Sequence, residues 1–325
     1  MKTNQFIKIS LMAFSLSLVF VACKKDNNGS SNVTPATADL QTSTDDQTMA
    51  SNENETVTND VNTSLENGGA SLRIFSDPNA SDASMRVDGI FPICDATVSY
   101  DTTGATKSLT ITYNGGNCAG NRTRTGTVVI SEAKGVHWKN AGAVVTISIQ
   151  NLKITRVRDG KSIVINGTKK ITNTTGGLLV NLGTSGPIAH EINDTLSVTF
   201  DNGSARTWNV SKHRVFSYDN GIKITTTGTH SDGTNSDIAE WGTNRFGVAF
   251  SSRITTPKVI SQACDFRLVS GQNTFTRGDK FVAVVTYGLD ANGNPVTSCP
   301  TGNFYAKVDW TYLPTGKTGT YLFQY

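Results

Sequence analysis

From about Phe91 onward, hydrophobic and polar residues alternate with a period of two. The alternation is clearest in the runs Ser108–Tyr113, Val145–Ile149 and Leu196–Phe200. Their Val, Ile and Thr residues suit a pleated strand with one buried and one polar face. Asn-Gly and Asp-Gly pairs, which supply the positive φ angles of tight hairpins, recur at 114–115, 159–160, 202–203, 220–221, 232–233 and 292–293. Short connections favour antiparallel neighbours. The sequence therefore predicts an all-β domain over residues 91–325, built as antiparallel meander or sandwich-like sheets.

The chain before residue 91 has two other patterns. Residues 27–44 are mainly Asn, Ser, Thr, Gly and Asp, too polar to bury a core, which predicts a flexible tether over residues 23–44. In residues 45–66 the apolar residues recur at multiples of four, at Met49, Val57, Val61 and Leu65. This spacing predicts a short helix followed by a linker to residue 90, although the many Asn and Thr make it a weak helix former. A disordered continuation of the tether is the alternative.

Residues 1–22 have the pattern of a secretory signal peptide. Two lysines precede an apolar stretch that is too short and too rich in Ser to span a bilayer as a helix. The end of this stretch, Phe20-Val21-Ala22-Cys23, resembles a bacterial lipobox, although Phe20 stands where Leu is usual. The resemblance implies acylation of Cys23, with several acyl chains holding the protein stably on a lipid bilayer. The following Lys24-Lys25-Asp26 is similar to the start of Bacteroidota lipoproteins. We therefore expect an outer-membrane lipoprotein that faces either the periplasm or the cell surface.

Composition narrows the classes of protein further. Apolar residues make up 37% and charged residues 17% of the 325 residues, while Gly contributes 30. Such a composition argues against a helical bundle, which needs more Leu, Ala, Glu and Lys. The formal net charge of +3 is too small for electrostatic binding to nucleic acid. We expect no nucleic-acid partner.

Four cysteines remain beyond Cys23, and their surroundings repeat. Cys94 and Cys264 are each followed by Asp and an alternating strand, then by a Gly/Asn turn and a second cysteine, Cys118 or Cys299. An even number of cysteines in an exported chain indicates disulfides. The repeat favours the pairs Cys94–Cys118 and Cys264–Cys299 among the three connectivities. No Cys-x-x-Cys motif supports a metal site.

The chain also resembles a group of Bacteroidota lipoproteins with no established activity. The resemblance covers roughly residues 90–310 and lies in strand and turn patterns: Asn117-Cys118, Arg122–Ser131, Gly167–Asn173, Thr199–Gly203, Thr207–Asn209 and Pro257 before Cys264. It implies export, anchoring and a β fold. It supplies no catalytic residue.

Residues that could carry chemistry do not form a recognised motif. The four histidines, His137, His190, His213 and His230, lack metal-ligand spacing, and strand alternation sends His190 and Glu191 to opposite faces. No phosphate-binding loop or Gly-x-Ser-x-Gly elbow is present. The oxygen-rich runs from Asp232 and Asp290 are interpreted as hairpin turns rather than calcium loops. We therefore expect no catalytic residue, cofactor or metal.

Two residue sets leave a binding role open. The tryptophans are expected in the core, and would bind sugar rings only if exposed in a row; they are Trp138, Trp208, Trp241 and Trp310. The pairs Arg122/Arg124 and Arg156/Arg158 each share a strand face, which we expect to be solvated, with an acidic glycan as the alternative ligand. These patterns favour a non-enzymatic structural or binding protein of the envelope, with a glycan or an envelope protein as partner. A hydrolase of carbohydrate or peptide on a β scaffold is the alternative, and pairing through a sheet edge is a third.

Overall fold

A computed structural model describes residues 35–66, 93–117, 120–264, 266–278, 280–300, 302 and 304–324. The predicted signal peptide, the predicted lipidation site Cys23, the start of the predicted tether and the linker before Ile93 lie outside the described residues. The described chain consists of one long helix and fourteen strands, with a few helical turns. The predicted antiparallel β fold is confirmed.

The helix, α1, spans Pro35–Glu66. It begins ten residues before the predicted start at Asp45, inside the segment interpreted as a tether. Proline is favoured at the first position of a helix, because its missing N–H has no partner there. The strands are β1 Ala96–Asp101, β2 Thr106–Gly116, β3 Arg122–Ala133, β4 Ala143–Arg156, β5 Ser162–Asn173, β6 Ile188–Phe200, β7 Ala205–Tyr218, β8 Ile222–Gly228, β9 Ile238–Thr243, β10 Ala249–Ser261, β11 Arg267–Arg277, β12 Phe281–Leu289, β13 Tyr305–Tyr312 and β14 Lys317–Gln324.

All fourteen strands belong to one antiparallel sheet that follows chain order. Of the two predicted arrangements, the meander is the one that the described residues form. Strands β8 and β9 share the position between β7 and β10: β8 pairs with Lys212–Tyr218 and β9 with Trp208–Val210. Both then pair with different parts of β10. The segment between β8 and β9 therefore leaves the sheet as a loop and returns to the same position.

The sheet curls around α1. Glu53 and Glu55 point to opposite sides of the helix, because two residues correspond to about 200° of rotation. Glu53 contacts Arg122 of β3, whereas Glu55 contacts Arg214 of β7. Strands that lie four positions apart in the sheet thus approach the helix from its two sides. The inward face holds the main core, which joins α1 to strands β2–β7 and β10.

Candidate functional site

The most unusual feature of the core is its charge. Helix α1 contains seven acidic residues and no basic ones. The described acidic side chains of α1 each form an ion pair with a different arginine of the sheet domain: Asp46 with Arg245, Glu53 with Arg122, Glu55 with Arg214 and Asp60 with Arg124. We call this inward face and its basic side chains the cationic cleft.

Arginines contact the helix at two points fourteen residues apart, Asp46 and Asp60. Arg245, which follows β9, donates from Nε and Nη2 to the two carboxylate oxygens of Asp46, at 2.6 and 2.5 Å. Its guanidinium lies over the ring of Phe200, 3.9 Å from the centroid. At the second point, Nη1 of Arg124 donates to Oδ2 of Asp60 at 2.7 Å. Paired, fork-like contacts of this kind fix geometry as well as charge.

Arg124 also links the helix to the start of the sheet. Its Nε and Nη2 donate to the two oxygens of Asp95, both at 2.6 Å. Tyr113 lies under the guanidinium and donates its hydroxyl to Asp60 at 2.7 Å. Burial raises the pKa of Asp60 even though Arg124 opposes the rise. The same burial, together with the Asp60 charge, raises the pKa of Tyr113 well above its usual value.

In the middle of the cleft, Lys212 bridges two carboxylates. Its Nζ lies 2.8 Å from Glu240 of β9 and 3.2 Å from Glu55 of α1. Burial would raise the pKa of Glu55, but Arg214 and Lys212 outweigh it and hold that pKa far below the usual range. The pKa of Glu240 is lowered by Lys212 in the same way, against its own burial. Both carboxylates are therefore charged, and Gln47 and Ser51 of α1 donate to Glu240.

A second pair lies deeper in the core. The Nζ of Lys169 is 2.6 Å from Oδ2 of Asp194, and neither side chain is exposed to solvent. Asn54 of α1 donates to the same oxygen at 2.8 Å. The helix is thus connected by polar contacts to strands β2, β3, β6, β7 and β9.

The prediction that Arg122 and Arg124 lie on a solvated face is wrong. Both side chains are buried, and the reason is their phase: they point inward with Val128 and Ile130 of the same strand. Arg156 contacts the exposed Asp159, and Arg158 is 46% exposed. Arg156 is the last residue of β4 and only 13% of its side chain is exposed, so of the four arginines only Arg158, in the turn that follows, is solvated.

The histidines occupy separate places. His190 is buried with Trp138 and Phe216 at ring-centroid distances of 5.0 Å, and burial lowers its pKa to about 3. Its Nε2 has no hydrogen-bond partner within the part of the chain that the structure describes. His213 lies on the outward face, with Nδ1 2.6 Å from Glu191. His190 and Glu191 thus point to opposite faces, as strand alternation predicts.

The tryptophans divide into two groups. Trp138 and Trp208 are completely buried, in agreement with the core expectation. Trp241 and Trp310 are half-buried; the first stacks on His230 at 3.8 Å and the second on Phe281 at 6.2 Å.

The structure tests one of the two predicted disulfides directly. Cys264 and Cys299 are bonded, with their Cα atoms 5.2 Å apart, so this pairing is confirmed. Cys94 is also in a disulfide, but Cys118 lies outside the described residues, and the pairing Cys94–Cys118 stays a prediction.

The two oxygen-rich runs are turns. Asp232 accepts the backbone N–H groups of Thr234 and Asn235, at 2.9 and 2.7 Å. Asp290 accepts those of Asn292 and Asn294 at 2.8 and 2.9 Å. Side-chain oxygens that bond to the following backbone are typical of Asx-turns.

Comparison with known proteins gives no assignment: no family model, no curated protein and no solved structure matches the chain. Among the described helices, none has the length and apolar character needed to cross a membrane. The described His, Cys, Asp and Glu residues form no group of three or more that could hold a metal ion. The cationic cleft and the N-terminal sequence are therefore the features that bear on function.

Proposed function

We propose that this protein is an exported lipoprotein, anchored in the outer membrane through acylated Cys23, with a non-enzymatic structural or binding role in the envelope. The Cys264–Cys299 disulfide carries the export part of the proposal. Such bonds persist in oxidising compartments outside the cytosol. The apolar stretch before Cys23 and the pattern Phe20–Cys23 support the anchor.

The position of α1 supports a close link between anchor and domain. Helix α1 begins twelve residues after Cys23. A fully extended chain of that length reaches at most about 40 Å. An acylated Cys23 would therefore hold the domain near the bilayer, facing either the periplasm or the outside. The ion pairs of α1 with the cleft would join the anchored end of the chain to the sheet.

Replacement of Cys23 tests the anchor. We expect Cys23→Ala to move the protein from the membrane fraction to the soluble fraction and to abolish incorporation of labelled fatty acid. The matched control is Phe20→Leu, which restores the usual lipobox residue and should leave both measurements unchanged or increased. Membrane association of Cys23→Ala equal to that of the unchanged protein would refute the proposal.

A further inference from the structure

The acidic residues of α1 follow a spacing that the cleft matches. Asp46, Glu53 and Asp60 lie seven residues apart, so they follow one stripe of the helix with a drift of only about 20° per step. Their partners are Arg245, Arg122 and Arg124, which come from different parts of the sheet domain. The cleft therefore recognises a pattern of charge along a helix rather than a single carboxylate.

Without α1 three arginines of the cleft would lose their carboxylate partners. Arg122, Arg214 and Arg245 have no other carboxylate partner in the described parts of the chain. An occupant that covered these arginines without supplying carboxylates would leave their charge buried and unpaired, which is strongly destabilising. The cleft therefore favours an acidic occupant.

The contact surface of α1 is more polar than a permanent core contact. Its buried apolar residues are Met49, Ala50, Val57, Val61 and Leu65. Among the described side chains of α1, the buried polar ones number six against these five: Asp46, Glu53, Asn54, Thr58, Asn62 and Ser64. Permanent interfaces are mostly apolar, whereas polar ones are typical of partners that associate and separate. The many Asn, Thr and Ser residues also give α1 a low helix propensity, so its folding depends on docking.

We propose that the cationic cleft is a binding site for acidic amphipathic helices: α1 occupies it within the chain, and an acidic helical segment of another protein exchanges with α1. The inference supplies a ligand class for the binding role proposed above and rests on that proposal for its cellular setting. The matching pattern is acidic at positions i, i+7, i+9 and i+14 and apolar at i+3, i+11, i+15 and i+19, as in α1 from Asp46 to Leu65.

The test uses the mature chain with Cys23→Ala, so that its result does not depend on lipidation. A covalently attached helix competes at an effective concentration of about millimolar. A protease site is therefore inserted between residues 67 and 92 and cleaved, which leaves α1 in place without its covalent link. A fluorescent peptide of residues 35–66 is then titrated, and anisotropy reports its exchange with the cleaved helix. We expect saturable exchange that weakens as NaCl is raised, because salt screens the ion pairs.

Two control peptides separate charge pattern from net charge. The neutral peptide carries Asp46→Asn, Glu53→Gln, Glu55→Gln and Asp60→Asn, and should bind at least about tenfold more weakly, since a loss of 1.4 kcal/mol already gives that factor. The shifted peptide exchanges each of these residues with an uncharged neighbour, which preserves composition and net charge. It should bind as weakly as the neutral peptide. Equal binding of the shifted and unchanged peptides would overturn the proposal.

An intact variant provides a second measurement. The chain with Asp46→Asn alone loses the charge of one α1 contact, so it should stay folded and bind the unchanged peptide more tightly without cleavage than the unchanged chain does. Unfolding of this variant, or failure of any peptide to replace the cleaved helix, would show that α1 is a permanent core element and overturn the proposal. Formation of dimers in which α1 of one copy occupies the cleft of the other would show that the partner is a second copy of this chain. That result would overturn the proposal that the partner is a different protein.

Discussion

Arg124 offers the sharpest test of the charged core. The substitution Arg124→Met keeps most of the apolar side-chain volume and removes the guanidinium. Arg124 contacts Asp95 through two hydrogen bonds and Asp60 through one, at 2.6, 2.6 and 2.7 Å, with only 6% of its side chain exposed. The variant therefore leaves two carboxylates without their cation: Asp95, which is buried, and Asp60, which is 16% exposed.

The expected loss is large. Removal of one partner from a buried ion pair costs about 3–5 kcal/mol. For a domain of 150–250 residues, each kcal/mol lowers the melting temperature by about 2–4 °C. We therefore expect Arg124→Met to melt about 6–20 °C lower at pH 7.

The stability lost in Arg124→Met should become smaller as pH falls. Burial raises the pKa of Asp60 already in the presence of Arg124. In the variant that pKa should rise further, because the opposing positive charge is gone. The folded variant then binds a proton more readily than the unfolded chain, so its stability relative to the unchanged protein should improve as pH falls from 7 to 5.

The assay is urea unfolding followed by tryptophan fluorescence and circular dichroism at pH 7 and pH 5. Arg158→Met is the matched control: Arg158 is 46% exposed, and its replacement should change stability by less than about 0.5 kcal/mol. A loss below about 1 kcal/mol for Arg124→Met, or a loss that grows on acidification, would refute this account of the cleft.

Three further substitutions test other parts of the core in the same assay. Burial holds the pKa of His190 at about 3, below the ordinary 6.5, so the unfolded chain takes up a proton that the folded chain excludes and stability falls as pH drops below 6.5. His190→Phe should remove part of the stability loss between pH 7 and pH 4.5; an unchanged pH profile would contradict it. Lys169→Met should lower the free energy of unfolding by about 3–5 kcal/mol, because Asp194 loses its cation. Addition of Asp194→Asn to the same chain should recover part of that loss. No recovery would contradict the proposed pair. Replacement of both Cys264 and Cys299 by Ser opens a loop with a sequence separation of 35 residues and should lower the free energy of unfolding by about 4 kcal/mol in the chain-entropy model. Equal stability of the unchanged protein with and without reductant would contradict this prediction.

The strands were predictable because their signal is local. Leu109 and Ile111 alternate with polar residues on β2 and are both completely buried, as period-two patterning requires. The hairpin at Asn202-Gly203 connects β6 to β7, and Gly203 has a φ of 80°, which a tight turn needs. Neighbouring strands joined by such turns account for most of the meander.

The cationic cleft was not predicted because its pairs are distant in sequence. Arg124 lies 64 residues from Asp60, and Arg245 lies 199 residues from Asp46. An arginine on an amphipathic strand is ordinarily solvated. A signal was nevertheless present, since Arg122 and Arg124 are in phase with the inward Val128 and Ile130. Lys212 and Arg214 are likewise in phase with Trp208 and Val210.

The extent of α1 was underestimated for a related reason. Apolar spacing marks only Met49 to Leu65, whereas the helix begins at Pro35. The sheet stabilises α1 through polar as well as apolar contacts, and apolar periodicity marks only the apolar ones. The informative signal is the charge of the segment: acidic residues without any basic ones, ahead of a domain with basic residues at inward positions.

A charged core needs a reason beyond stability. Buried ion pairs contribute little net free energy, and well-packed apolar residues of similar volume often stabilise a core more. The main advantage of charge at such a position is specificity: it admits an acidic helix of one spacing and excludes others. An apolar cleft would hold α1 at least as firmly but would accept any amphipathic helix. The arginines that face Asp46, Glu53 and Asp60 are therefore better explained by selection of a matching helix than by stabilisation of the fold.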